Sequence, residues 1–400
     1  MDWFLIILVA GLTLAGGLMI RSTGLTDELA SLYWQHWILG GIGLGILLMI
    51  ARWRYENLLR WVWIIYGVTN ISLLAVMVIG TEALGAQRWI SIAGFNVQPS
   101  EFAKLGLIIT LAGVLHRSQT MTLFLVFRVL GIMLVPWFLI FLQPDLGTSL
   151  VFGVITLGML YWANANPGWL VLLVAPLISA ICFGFNIPLW LLWVVGVGAI
   201  AWHSLPWKWL GTFAMVVVNL ISGGIGQVFW NLLKDYQKAR LILFLDPDKD
   251  PLGGGYHLIQ SRIAIGAGQL WGRGIHQGTQ TQLGFIPEQH TDFIFSAIGE
   301  ELGFVGAIAV LLAFWCICLR LVIIAQNAKD NFGSLIAIGV LLMIIFQVFV
   351  NIGMTIGLAP ITGIPLPWLS YGRSAMLTNF IALGIVESVM NHRHRLRFTE

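Results

Sequence analysis

The stretch from Pro287 to Gly303, PEQHTDFIFSAIGEELG, sets a carboxylate, Asp292, where a long polar segment runs into an apolar helix. An ionised acid at the edge of a membrane is costly to keep, which makes it a functional candidate. A carboxylate so placed suits a general base that takes a proton from a hydroxyl. The alternative is helix capping, since a helix starting at Thr291 would hold Asp292 in its first turn, where the helix dipole favours an anion. His290, two residues earlier, is a second proton acceptor or a plain surface histidine. Glu300 and Glu301 follow about two turns deeper, where packing or helix pairing suits them better than contact with a water-soluble substrate.

Further polar constellations flank this acid. In GAQRWISIAGFNVQPSEFAKL, Arg88 lies in a loop and Pro99 opens a helix that carries Glu101 and Lys104 three residues apart. That spacing puts both charges on one side of the helix, able to pair with each other. QPDLGTS places Asp145 in a Pro-Gly turn, where stabilising the turn competes with catalysis. PLPWLSYGRSAM brings Arg373 and several hydroxyls to the mouth of the last helix. The segment IAIGAGQLWGRG resembles a phosphate loop only superficially, because Gly272, Gly274 and Gly278 do not fit G-x-G-x-x-G.

The elements that position these groups follow from composition. Hydrophobic residues make up 58% of the 400, charged residues 10%, and apolar runs reach bilayer length. The expected fold is an all-α polytopic membrane bundle of 10–12 helices, read as a single domain over 1–400. Spans are expected near 3–20, 35–51, 61–80, 101–115, 123–142, 147–163, 168–185, 188–203, 207–229, 292–318, 333–358 and 371–390. Trp3 to Ile20 lacks the basic region and cleavage site of a secretory signal and reads as a retained first helix.

Arg52, Arg54, Arg60, Arg117, Arg128, Lys208, Arg320, Lys329, Arg393, Arg395 and Arg397 occupy alternate connections and the tail, which belong in the cytoplasm with both termini. The other connections then face outward. They include a large loop of about 230–291 before the last three helices, bearing Lys234, Asp235, Lys238, Arg240, Asp246, Asp248, Lys249, Asp250, Arg262, Arg273 and Glu288. Cys182, Cys316 and Cys318 all sit in apolar runs, so neither a disulfide nor a zinc framework is indicated. The net charge of +3 is dispersed and argues against nucleic acid.

Several blocks together resemble the SEDS family (shape, elongation, division and sporulation), and within it the RodA branch. They are GAQRWI at 85–90, QPSEFAKL at 98–105, QPDLGTS at 143–149, LDPDKDPLGGGYHLIQSRIAIGAG at 245–268, GTQTQLGFIPEQHTDFIFSAIGEELG at 278–303 and GIPLPWLSYG at 363–372. The resemblance implies a peptidoglycan glycosyltransferase that polymerises lipid II on the outer face of the bacterial cytoplasmic membrane, for elongation and rod shape. It implies Asp292 as the essential acid, Glu101 and Lys104 as the charged pair near it, and a class B penicillin-binding protein, a transpeptidase, as partner. Two departures stand out: residues 168–229 hold enough apolar sequence for an extra helical hairpin, and the usual SYGGS reads SYGRS, with Arg373.

The residues make chemical sense of that reaction. A sugar hydroxyl must attack an anomeric carbon while a lipid pyrophosphate departs. Asp292 serves as the base, and Arg88, Arg262, Arg273, Lys104 or a bound divalent cation (Mg2+ or Mn2+) stabilises the leaving group. That group leaves readily, so no second acid is required, unlike the paired carboxylates of glycoside hydrolysis. The competing reading is a lipid II flippase or lipid-precursor transporter; such proteins place their sites near the bilayer centre on interrupted, repeated helices. A scaffold for cell-wall enzymes is a third.

Overall fold

The computed structural model describes residues 1–24, 31–83, 86–92, 95–118, 120–232, 238, 242–244, 246, 249–250 and 255–393. Lys234, Asp235, Arg240, Asp248, Arg395 and Arg397 lie outside the described residues. In chain order the helices are α1 (Trp3–Thr23), α2 (Leu32–Arg52), α3 (Leu58–Ile79), α4 (Pro99–His116), α5 (Leu123–Leu142), α6 (Leu146–Trp162), α7 (Pro167–Phe185), α8 (Ile187–Ser204), α9 (Lys208–Leu232), α10 (Tyr256–Ala267), α11 (Thr279–Gln282), α12 (Ile294–Gln326), α13 (Asn331–Ile356) and α14 (Arg373–Asn391). Among the described residues ten helices are long and apolar enough to cross a membrane. The other two of comparable length are α4, which carries Glu101 and Lys104, and the 17-residue α6. Helices dominate because a chain in lipid must satisfy its backbone polar groups within itself.

A short antiparallel meander, β1 (Thr81–Ala83), β2 (Ala86–Ile92) and β3 (Phe95–Val97), joins α3 to α4, where the sequence reading has only a loop. Val97 pairs with Ile90, so the meander ends at the proline that opens α4 and brings Arg88 alongside it.

Polar residues set the helix ends. Asp2, Thr122, Asn166 and Asn186 accept hydrogen bonds from the first turns of α1, α5, α7 and α8, and Asp330 accepts from Gly333 N at 2.8 Å to start α13. Gly357 in the left-handed region closes α13.

The chain packs as two compact units, residues 1–159 with 243–400, and residues 160–242. The second unit is the three-helix set α7–α9 expected from the apolar run at 168–229. Leu172 and Ala175 pack with Val197 and Ala201, and Trp190 and Trp193 donate to Ser179 Oγ and the Ala175 carbonyl. In the first unit α13 and α14 are central, with 72% and 78% of their apolar windows buried against 17% for Tyr55–Ile79. α4 packs against α13, where a β-carbon on Gly339 would lie 2.5 Å from Ile108. At the end of this unit away from Asp292, Asp2 accepts from Arg320, and its N–H donates to Glu387, tying α1 to α12 and α14.

α12 is not one continuous helix. At Gly303 the backbone turns to φ 66°, ψ −163°, dividing 294–302 from 304–326. The segment 268–274 crosses this break and matches both exposed ends. Arg273 N and Gly274 N donate to the Glu300 and Glu301 carbonyls, while the Gln269 and Leu270 carbonyls accept from Phe304 N and Val305 N. The crossing is so close that a β-carbon on Gly303 would lie 2.2 Å from Gly272 N. Gly303→Ala is therefore expected to lower stability by roughly 1–3 kcal/mol or more from backbone strain and steric conflict, read as a fall in the thermal unfolding midpoint in detergent.

Candidate functional site

Asp292 sits in a turn. Thr291 N and Phe293 N both donate to the Glu288 carbonyl, and α12 begins only at Ile294, with no acidic residue in its first turn. This corrects the expectation that Asp292 lies in that first turn. The turn extends to 293 because buried Phe293 packs with Ala264 and Ile286, and the N-cap position makes no side-chain hydrogen bond.

Asp292 is half-buried, and its carbonyl accepts from Asn351 Nδ2 of α13 at 3.0 Å. A β-carbon on Gly363 would lie 3.6 Å from Asp292 Oδ2 and, among the described residues, meet nothing else within 4 Å. Glycine at 363 therefore keeps one side of the carboxylate open. The adjoining loop is braced by α6, whose Gly147 lies against Thr362 and Ile364.

His290 and Arg373 join the same end. The His290 carbonyl accepts from Tyr371 N at 2.9 Å, and the two rings lie 6.2 Å apart. Burial lowers the His290 pKa, the nearby Glu288 charge opposes this, and burial is the larger influence. Arg373 donates to the Tyr371 hydroxyl at 2.9 Å and to Gln35 Oε1 at 2.8 Å, linking α14 to α2. Ser374 Oγ accepts from Gln98 N and donates to the Asn96 carbonyl, which fastens the start of α4 to the start of α14.

Glu101 and Lys104 form a buried ion pair, with Lys104 Nζ 2.8 Å from both carboxylate oxygens. From the Ile108–Gly339 contact, a rise of about 1.5 Å per residue puts Glu101 level with Gln347, about one turn deeper than Asn351. Gln347 is fully buried with no hydrogen-bond partner on either amide atom among the described residues.

The arginines serve the frame of the site. Arg88 donates to the Gln143 and Pro144 carbonyls, Arg262 to the Gly357 carbonyl, and Arg273 to the Ala267 carbonyl and Thr279 Oγ1. These carbonyls lie at the C-terminal ends of α5, α13 and α10, where the helix dipole favours a cation. Asp145 accepts from Thr148 N and Thr148 Oγ1 at the start of α6, so it holds its turn.

Two carboxylates have roles the sequence reading did not specify. Glu300, wholly buried, accepts from Gln280 N, Thr281 N and Thr281 Oγ1, and so anchors α11. Glu301 accepts from Ser22 Oγ at the end of α1. Their partners lie some 20 and 279 residues away along the chain, beyond the reach of any local pattern. Asn351, also absent from the expected site, belongs with Gln347 to an apolar run that shows no motif.

Comparison with known proteins follows this geometry. The family model FTSW_RODA_SPOVE, described as "Cell cycle protein", matches residues 1–395. The chain is 35% identical over 371 residues to peptidoglycan glycosyltransferase MrdB of Escherichia coli K12, covering 90% of this chain and 86% of that protein. It is 34% identical to peptidoglycan glycosyltransferase RodA of Treponema pallidum, over 97% of each. Its fold is similar to a solved chain from a peptidoglycan synthase complex that coordinates polymerization and crosslinking, with TM-score 0.73, 26% identity and 98% coverage of both chains. The chain belongs to the FtsW, RodA and SpoVE family of cell cycle proteins, on the RodA side that its motifs resemble.

Proposed function

We propose that this multi-pass membrane protein is a peptidoglycan glycosyltransferase that polymerises lipid II at the outer face of the bacterial cytoplasmic membrane, for cell elongation and rod shape. The observation that carries this reading is the Asp292 carboxylate beside the open face of Gly363, in a chain whose relatives MrdB and RodA are named for that activity. The alternating arginines and lysines support an orientation with both termini in the cytoplasm and Asp292 outside. The structural neighbour from a synthase complex supports a transpeptidase partner, a class B penicillin-binding protein.

In the reaction, Asp292 takes the proton of a sugar hydroxyl as its oxygen bonds to the anomeric carbon of a second sugar. The bond from that carbon to the pyrophosphate oxygen breaks, and the lipid pyrophosphate leaves as an anion. A positioned base of this kind contributes roughly 10²–10⁴-fold in rate. Arg88, Arg262 and Arg273, which hold helix ends, and the buried Glu101–Lys104 pair are the charges proposed to serve the site. Among the described residues no group of three or more His, Cys, Asp or Glu side chains is placed to hold a metal. An Mg2+ or Mn2+ ion bound with the substrate would help neutralise the departing pyrophosphate, drawing oxygen ligands from the pyrophosphate and water.

The break at Gly303 resembles the interrupted helices of transporters, but its freed N–H and C=O groups are bonded to segment 268–274. It therefore offers no bare helix ends to a cargo, and transfer is the better reading than flipping.

With labelled lipid II and the partner present, wild type should yield muramidase-sensitive glycan strands and Asp292→Asn none, at equal expression. Strands formed at the wild-type rate by Asp292→Asn would overturn the mechanism, and lipid II crossing liposomes without polymer would favour the flippase. Lys104→Ala or Glu101→Ala alone should lower activity and destabilise by roughly 3–5 kcal/mol, because one buried charge loses its partner. The double variant Glu101→Leu/Lys104→Met should recover the thermal midpoint but not the activity; full activity would make the pair purely architectural.

His290 gives a pH test. Its folded pKa lies below the ordinary value of about 6.5, so the unfolded chain takes up its proton first on acidification. Its contribution to stability is complete above the ordinary pKa and is lost as pH falls toward the folded value. His290→Gln should therefore flatten the fall in thermal midpoint between neutral and mildly acidic pH.

A further inference from the structure

Asn351 lies on α13, fully buried, in one of the most enclosed helices of the first unit. Its Nδ2 donates to the Asp292 carbonyl at 3.0 Å and to the Ile364 carbonyl at 2.8 Å. Both partners are carbonyl oxygens, which only accept, so the amide nitrogen must face them and the orientation of the side chain is chemically determined. The amide's two N–H groups match the two carbonyls.

These carbonyls are not arbitrary. One belongs to the residue that bears the candidate base. The other belongs to the residue after Gly363, whose open face confronts Asp292 Oδ2. The two residues come from segments some seventy positions apart, one leading into α12 and the other following α13. A peptide unit is planar, so holding the 292 carbonyl also locates the Asp292 α-carbon from which the carboxylate side chain departs. Holding the 364 carbonyl from the same nitrogen ties the backbone at Asp292 to the backbone of the loop that its carboxylate faces. Leucine, similar in size, would release both carbonyls together.

We propose that Asn351 is a positioning residue for Asp292, locking the backbone of the acid turn to the Gly363 loop so that the attacking hydroxyl reaches the carboxylate from the side where Gly363 carries no side chain. The inference rests on the reading of Asp292 as general base. Asn351 itself touches no reacting atom; it acts through the backbone of the residue that does.

The test uses the full-length chain with its partner transpeptidase, lipid II as substrate, and initial rates across a pH series. The variants are Asn351→Leu, Asn351→Ser, which keeps one donor, and Asp292→Asn. Misplacing the base should lower kcat of Asn351→Leu roughly 10- to 100-fold while KM stays near the wild-type value, with Asn351→Ser intermediate. Because the environment of the carboxylate changes, the acid limb of the kcat/KM profile should also be displaced. If Asn351→Leu fails to fold, as judged by its elution profile and thermal midpoint, Asn351→Ser supplies the same reading.

A folded variant with wild-type kcat overturns the proposal, as does one whose rate falls without moving the acid limb, since a merely structural residue lowers only the amount of active enzyme. Should Asp292→Asn remain active, the base itself is refuted and the positioning role falls with it. Should Asp292→Asn be inactive while both Asn351 variants keep the wild-type profile, only the positioning role is refuted.

Discussion

A helix inside an apolar bundle can be broken only where the N–H and C=O groups it frees find partners in protein. At Gly303 that requirement is met by the segment 268–274, which gives two N–H groups to the upper piece of α12 and two carbonyls to the lower one. The two crossing backbones come so close that glycine stands on each side, at 272 and 303, both in the left-handed region. The rest of the Asp292 end is built on this crossing. It fixes the short segment 294–302, and that segment carries Asp292 at its head and Glu300 and Glu301 at its foot. Glu300 in turn holds α11, and Glu301 holds the end of α1.

Charge in this molecule is largely architectural. Asp145 and Glu300 accept from nearby N–H groups and hydroxyls, and Arg88, Arg262 and Arg273 attach to carbonyls at helix ends. In each case a charged side chain replaces the water that a backbone group would otherwise need. Asp292 is the acid that faces Gly363. Its backbone is held by Asn351, its neighbour Phe293 is anchored in apolar packing, and its carboxylate confronts a glycine with space beyond it. A base needs such an arrangement: a rigid support with one open side from which a hydroxyl can approach.

The arrangement also explains a site made from widely separated blocks. The acid turn, the loop after α13, the start of α6 and the starts of α4 and α14 are joined by specific contacts: Asn351 to Asp292 and Ile364, Gly147 against Thr362, Tyr371 to His290, and Ser374 to Gln98. The likeness to MrdB, RodA and the synthase-complex chain extends over nearly the whole length. A site assembled from so many connections is specified by the whole bundle.

The sequence by itself determined the helical membrane class and the order of the long helices. Long apolar runs leave helices as the economical way to cross lipid, so the twelve expected spans correspond to the twelve long helices among the described residues, the three at 167–232 included. The i, i+3 spacing of Glu101 and Lys104 likewise announced their pairing. What only the tertiary structure decided are the matches between distant groups. The break in α12 was illegible because IGEELGFVG continues an apolar helical pattern; the cause of the break is a loop some thirty residues earlier. Glu300, Arg88 and Asn351 act on carbonyls and N–H groups, which every residue carries and no side-chain pattern marks. Periodicity reports which face of an element is buried; it does not report which backbone group, brought near by folding, will need a partner.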